Sequence, residues 1–371
     1  MKIFILYASA GAGHRRAAEA IYDYFGSQDP DLQLKLVDSL EFAHPIFRIG
    51  YASGYSFLVS HLPHLWSLFF KFTCLHLPRS FVESVRSIVN RMSAQCLIRL
   101  LIRENPDCII STHFLPSKVA AYLKRKSLIR SKLFTVITDY ILHPFWLAEG
   151  TDTYIVPCSL TKDELRLAGV KNEMVKDIGI PIDIKFSKQY QKDEVRARLG
   201  LKKKKFSVLI STSAFGIGPI EKLVEALHRD VQLMVVCGRN TQLFSRLDEL
   251  EYSNVRLFTF VDNIEELMAA SDLVITKPGG LTISELLAME LPPIFVSVIP
   301  GQEEDNLRAL KNYGVGIKEK DPQRVSNIVL EYRSSLEKLN RAKEDLSRIK
   351  KPFAVRELYN VVCQSSPRAS G

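Results

Sequence analysis

The chain of 371 residues is short of the features that mark several large protein classes. It has six cysteines, Cys74, Cys96, Cys108, Cys158, Cys237 and Cys363, and no two of them form a CxxC pair. That scatter excludes a disulfide scaffold and a zinc-ribbon framework. Cys108 (in DCII) and Cys237 (in LMVVCG) stand inside apolar runs and read as buried thiols of a protein in a reducing compartment. No window reaches the roughly 18 apolar residues of a membrane-spanning helix. The N-terminal run KIFILYA soon passes into glycines and His14, as a strand entering a turn does and a signal peptide does not. Glycine (18) and proline (17) are too few for a collagen-like or low-complexity chain. No internal repeat recurs at a period of roughly 20–50 residues, which removes solenoids and propellers.

What is present describes a two-domain α/β protein. Hydrophobic residues make up 46% and charged residues 25%, and at about 100–200 residues per domain the length predicts two cores. Short apolar runs alternate with amphipathic stretches, the pattern of parallel sheets with crossover helices. The first half offers strands KIFILYA, LQLKLVD, DCIIST, LFTVITD and TYIVPC, and the second FSVLIS, QLMVVCG, VRLFTF, LVITK and PIFVSV. Helices are predicted over His14–Phe25 and Ile220–His228, with two more between Asp321 and Val362, separated by Lys351-Pro352. The predicted domains are 1–180 and 181–350, followed by a C-terminal helix and frayed tail over 351–371. Lysine and arginine number 50 against 41 acidic residues, a net charge of +9. That excess favours an acidic partner: nucleic acid, an anionic membrane surface or a phosphorylated substrate. The run Lys202–Lys205 reads as a solvated linker.

Residues 44–80 break the alternation. Phe47, Tyr51, Tyr55, Phe57, Trp66, Phe69, Phe70 and Phe72 are interspersed with Arg48, Lys71 and Arg79. Rings at headgroup depth with cations on lipid phosphates suit a membrane interface, and Trp66, Phe69, Phe70 and Lys71 are the candidate contacts. A helical excursion packed on its own domain is the alternative. His61 and His64 form an HxxH spacing, but no further ligand accompanies them, so no metal site is read there.

Two constellations carry chemistry. In KIFILYASAGAGHRRAAEAI a strand runs through a small-residue turn into an amphipathic helix, whose free N–H groups and dipole suit an anion. Gly11 and Gly13 followed by Arg16 give GxGxxR, so the third glycine of a dinucleotide fingerprint is missing. His14, in the turn, stands where a strand hands over to a helix, a common place for a functional histidine. In LVITKPGGLTISELLA a strand ends at Lys277-Pro278-Gly279-Gly280 and a helix over Thr282–Met289 follows, placing Glu285 within reach of a ribose diol. PIFVSV then ends in PGQEEDN, a cluster of donors and acceptors suited to polyhydroxyl recognition, or else a polar helix start with Gly301 in the turn.

Taken together, AGAGHRRAAEAI, STHFLPSKVA, ITDYILHPFW, GIPID, FGIGPIEKL, FVDNIEELMAASDLVITKPGGLTISELLA and PGQEEDN resemble the monogalactosyldiacylglycerol synthases and processive diacylglycerol glucosyltransferases. The stretches run in family order from Ile3 to about Leu310. The resemblance implies a GT-B fold, two Rossmann-like domains facing an interdomain cleft, and an inverting transfer of a hexose from a UDP-sugar to the hydroxyl of diacylglycerol or a glycolipid. It implies His14 as catalytic base. Ser213, Gly216, Val261, Lys277, Gly279, Gly280, Ser284, Glu285, Gln302, Glu303 and Asn306 would lie on the donor side. Gly11, Gly13, His113, Asp139, His143 and Trp146 would lie on the acceptor side. Thr212, Ser213 and Ala214 replace likely glycines of the family, and Ala10 and Ala12 stand where glycine is common.

No DxD-like carboxylate pair falls at a strand end, so neither a catalytic metal nor another cofactor is expected. The expected partners are UDP-hexose, the lipid acceptor and an anionic bilayer, not nucleic acid, and the expected place is the cytoplasmic face of the membrane. Two other readings stand beside this one. An NAD-dependent oxidoreductase would use Asp38, at the end of LQLKLVD, as its ribose acid. A catalytically silent membrane sensor would bind UDP-sugar without turning it over.

Overall fold

The computed structural model describes residues 1–9, 11–43, 95–212, 216, 218–299 and 301–365. They form two compact units. One comprises Met1–Ile184, Ile299–Asp305 and Phe353–Gly371; the other comprises Lys185–Val298 and Asn306–Pro352.

The first unit holds β1 (Lys2–Tyr7), α1 (Ala12–Gln28), β2 (Gln33–Asp38), α2 (Gln95–Glu104), β3 (Cys108–Ser111), α3 (Phe114–Arg125), β4 (Lys132–Val136), β5 (Thr153–Val156), α4 (Ser159–Leu167) and β6 (Val175–Asp177). Its six strands are all parallel, in the order β2-β1-β3-β4-β5-β6. A parallel sheet covered on both faces wants unbroken apolar runs, and Ile3, Phe4, Ile5 and Leu6 of β1 are all buried. Ile3 and Ile5 pack with Ala18, Ile21 and Phe25 of α1 and with Val355, Leu358 and Val362 of the C-terminal helix Ala354–Ser365. Phe4 and Leu6 face the other way, onto Leu97, Leu100 and Leu101 of α2 and Val119, Ala120 and Leu123 of α3.

The second unit holds α5 (Lys192–Arg198), β7 (Ser207–Ser211), α6 (Ile220–Leu227), β8 (Gln232–Val236), α7 (Thr241–Asp248), β9 (Val255–Phe258), α8 (Ile264–Ala270), β10 (Leu273–Thr276), α9 (Gly280–Ala288), β11 (Pro293–Phe295), most of α10 (Gln302–Lys311), β12 (Ile317–Lys318), α11 (Pro322–Ser334) and α12 (Leu336–Ser347). Its parallel order is β12-β11-β10-β7-β8-β9, which within the unit is the 3-2-1-4-5-6 order of a doubly wound nucleotide fold. Buried Arg196 fastens the entry to this unit. Its guanidinium donates to Asp272 at 2.7 Å and to the Ala270 carbonyl at 2.9 Å, while Asp272 also accepts from Ser207 N at 2.8 Å.

Each sheet has one strand more than the sequence predicts. β6 (VKD) and β12 (IK) are edge strands too short and too charged to leave a hydrophobic run. The stretch expected as a single helix before Lys351-Pro352 is two helices. Ser335 interrupts it and caps α12, its side chain accepting from Lys338 N at 3.2 Å. Cys108, Cys158 and Cys237 are buried, whereas Cys96 is exposed and Cys363 half-buried. Burial pushes the Cys237 thiol up to about 11. Among the described residues no helix is long and apolar enough to cross a membrane.

In each unit the strand order reverses beside one central strand. Beyond β1 the chain turns outward to β2 while β3 lies on the other flank; β7 stands likewise between β8 and β10. Open α/β sheets bind ligands outside the carboxyl ends of the strands at such a switch point. The small-residue turn with His14 follows β1, and Lys277-Pro278-Gly279-Gly280 follows β10.

Candidate active site

At the carboxyl edge of the first sheet, three strand exits converge on His14. The residue lies in the first turn of α1, half-buried. Thr112, just past β3, pins that turn: its hydroxyl donates to the His14 carbonyl at 2.9 Å. Its own carbonyl oxygen lies 2.9 Å from His14 Nδ1. A carbonyl can only accept, so Nδ1 carries the proton and Nε2 keeps its lone pair. The Thr138 hydroxyl, past β4, stands 3.0 Å from the same nitrogen. Burial pushes the His14 imidazole below its ordinary pKa, opposed by the Asp139 carboxylate and the Thr112 carbonyl. The ring is therefore neutral at pH 7 and able to take a proton at Nε2.

Around it lies an aromatic wall. His113 meets the His14 ring edge-on, with centroids 4.6 Å apart, and stacks on Phe114 at 4.3 Å. Phe114 meets Phe145 at 5.1 Å, and Phe145 meets His143 at 4.3 Å. His113 Nδ1 accepts from Leu115 N at 3.1 Å and His143 Nδ1 accepts from Phe145 N at 3.2 Å, so in both neutral rings the proton sits on Nε2. Burial, with His14 as a neighbour, pushes His113 well below the usual histidine range. Trp146, almost fully buried, donates from Nε1 to Asp139 Oδ2 at 2.8 Å, and the Gln302 amide donates to Asp139 Oδ1. The carboxylate is thus held by two donors in the neighbourhood of His14.

The carboxyl edge of the second sheet is built differently. The helix after β10 starts at Gly280 with Gly279 as N-cap, two residues earlier than the sequence predicts, so its free N–H groups belong to the glycine turn itself. Gly279 has φ −71° and ψ 139°, open to any residue, and a Cβ there would meet only Thr282 Oγ1 at 3.9 Å. The fold does not demand glycine at this position. Asn306, buried on α10, braces the turn by donating to the Pro278 carbonyl at 3.0 Å. Ser284 and Glu285 are buried on α9, and Ser284 Oγ donates to the Gly280 carbonyl at 3.2 Å. Gly216, by contrast, is required by the backbone: its φ is +56° and a Cβ would fall 2.6 Å from the Cys237 carbonyl.

The family model for monogalactosyldiacylglycerol (MGDG) synthase matches residues 14–182, and that for the glycosyltransferase family 28 C-terminal domain matches residues 210–355. A processive diacylglycerol beta-glucosyltransferase of Bacillus pumilus is 32% identical over 85% of this chain and 82% of its own length. The chain belongs to this glycosyltransferase family. A probable chloroplastic monogalactosyldiacylglycerol synthase of Glycine max is also 32% identical, over 98% of this chain and 72% of that one. Among solved structures, MurG of Acinetobacter baumannii superposes with a TM-score of 0.63 over 98% of this chain and 99% of that one, at 14% identity, which shows the GT-B fold.

Of the residues the family resemblance singles out, Gly11, Gly13, His14, His113, Asp139, His143 and Trp146 gather at the first carboxyl edge. Gln302 and Glu303 belong to the same unit: Gln302 reaches Asp139, and Glu303 accepts from Ile299 N at 2.7 Å, closing the loop ahead of α10. Gly216, Lys277, Gly279, Gly280, Ser284, Glu285 and Asn306 lie in the second unit, and half-buried Val261 sits there between β9 and α8. Ser213 and the membrane candidates Trp66, Phe69, Phe70 and Lys71, with Arg48, Arg79 and the HxxH pair, lie outside the described residues. Two further cations near the end of α3 are ion-paired, Lys124 with Asp152 and Arg125 with Glu149. Asp38 Oδ1 accepts from Ser9 N at 3.2 Å and Leu40 N at 3.0 Å, shaping the turn after β2, and the family matches give the oxidoreductase reading no support. Sequence reading misses Thr112, Thr138, Phe114 and Phe145. The adjacent STHF and TDY motifs contain three of them, but nothing in the motifs says that a threonine carbonyl would set a histidine tautomer.

Proposed function

We propose that the protein transfers a hexose from a UDP-sugar to the hydroxyl of diacylglycerol or a glycolipid, with inversion at the anomeric carbon. The lipid oxygen forms its bond to that carbon as the bond to the UDP oxygen breaks. The hydroxyl proton passes to His14 Nε2, and UDP departs with the electron pair. The observation that carries this reading is the Thr112 carbonyl on His14 Nδ1, which leaves Nε2 as an unprotonated base at neutral pH. Asp139, held by Trp146 and Gln302, offsets the positive charge that His14 gains. In the second unit, the N–H groups at Gly279 and Gly280 and the helix dipole meet the negative charge developing on the diphosphate, with Lys277 beside them. Glu285 takes the ribose hydroxyls. No metal or other cofactor enters this scheme.

The acceptor is insoluble in water, so the enzyme works at a bilayer surface, on the cytoplasmic face. The +9 charge and the aromatic, cationic segment 44–80 support docking on anionic lipid. The test is sugar transfer from radiolabelled UDP-glucose, UDP-galactose and UDP-glucuronate to vesicles of diacylglycerol in anionic phospholipid, with and without EDTA. One donor should give a β-linked glycolipid at an EDTA-independent rate, and vesicle binding should fall as salt rises. UDP binding with no transfer from any donor would instead leave a sensor.

A further inference from the structure

One buried polar atom at the second crevice has no partner in the protein. Thr212 is the first residue past β7, and it is 1% exposed. Its hydroxyl makes no hydrogen bond and is shut off from water. Parallel register sets Ser211 of β7 beside Thr276 of β10, and the Thr276 hydroxyl donates to the Ser211 carbonyl at 2.5 Å. Thr212 therefore leaves the sheet alongside Lys277, at the switch point. Burying an unpaired hydroxyl opposes folding, and native proteins keep few such groups.

The surroundings are strained as well. Gly218, φ +130°, lies between the Ser297 side chain and the Thr212 methyl: a Cβ on it would stand 2.7 Å from the Ser297 hydroxyl and 3.8 Å from Thr212 Cγ2. Ser297, just past β11, adopts φ +51°, a left-handed conformation unusual for serine. Strained non-glycine residues and orphaned polar atoms cluster where a ligand completes the structure.

We propose that Thr212 is a donor-positioning residue whose hydroxyl pairs with an oxygen of the UDP diphosphate, a bond the ligand-free protein leaves open. This rests on the reading of the second unit as the nucleotide site. In place of the bare backbone of a glycine, the chain offers a side-chain donor whose unpaired cost in the free state is relieved on binding.

The experiment compares the full chain with Thr212→Val and Thr212→Ser, using UDP and uridine as probes in calorimetry and thermal unfolding without ligand. Thr212→Val keeps the shape and removes the hydroxyl. It should bind UDP about tenfold more weakly, the scale of one hydrogen bond to a charged group, with uridine affinity unchanged. Its ligand-free melting temperature should stay level or rise by about 2–4 °C, since an unsatisfied group is gone. Thr212→Ser should match the parent for UDP. Equal UDP affinity in parent and Thr212→Val overturns the proposal, as does a lowered melting temperature in Thr212→Val, which would mean the hydroxyl serves the fold. Failure of the parent itself to bind UDP removes the nucleotide site and the proposal with it.

Discussion

The two crevices share one plan and fill it with different chemistry. In each, a strand at a topological switch point meets a small-residue turn and the start of a helix. The first crevice is walled by titratable and aromatic side chains: three histidines, Asp139 and Trp146, each held by a hydrogen bond to a neighbour. The second relies on backbone N–H groups and glycine, braced by Asn306 from behind. A proton acceptor needs a fixed tautomer and a tuned pKa, which only packed side chains supply. A diphosphate needs several N–H donors and a close approach, which side chains would obstruct. The difference fits the proposed division, with proton transfer in one unit and nucleotide charge in the other.

The sharpest way to break that division is His14→Ala. Turnover should drop by about 10²–10⁴, the scale of losing a general base. A steady-state rate near that of the parent would take His14 out of the mechanism. Glu285→Ala should act on the opposite side. UDP affinity should weaken by roughly 1.5–3 kcal/mol, as expected for a charged acceptor to a hydroxyl. Unchanged affinity in calorimetry would end the ribose assignment.

Asp139→Asn sharpens the account of the base. The amide oxygen can still accept from Trp146, but the charge that raises the His14 pKa is lost. Turnover requires neutral His14, so in the parent the rate should hold at neutral pH and decline as pH falls through the lowered His14 pKa. In the variant that decline should move to lower pH, with a rate about tenfold down from a weaker base and an uncompensated imidazolium. An unmoved acid limb would show that Asp139 does not act on His14. The smallest effect belongs to Asn306→Ala. Freeing the Pro278 carbonyl should lower stability by about 1 kcal/mol and loosen UDP binding a few-fold, read by denaturant unfolding and calorimetry. No change in either would mean the brace is idle.

How much of this was legible in the sequence follows physical lines. Eight strands announce themselves because a sheet buried on both faces needs continuous apolar runs, as in Ile3–Leu6, while the edge strands β2 and β9 show instead by alternating apolar and polar residues. β6 and β12 sit at sheet edges, where two or three paired residues suffice and no such run is required. The turns bearing His14 and Lys277–Gly280 are readable from strand, small residues and helix in succession. The state of His14 is not, because it depends on Thr112 and Thr138, which only parallel register brings alongside. Gln302 meets Asp139 across 163 residues, a pairing with no local signal. Glycine shows the same limit: Gly216 is fixed by a left-handed backbone and Gly279 by nothing in the fold, yet both are the same letter.

If the base and the nucleotide site are separable, UDP calorimetry on His14→Ala beside Glu285→Ala will show it. His14→Ala should bind UDP as the parent does, while Glu285→Ala should bind about tenfold or more weakly. A loss of UDP affinity in His14→Ala equal to that in Glu285→Ala would contradict it.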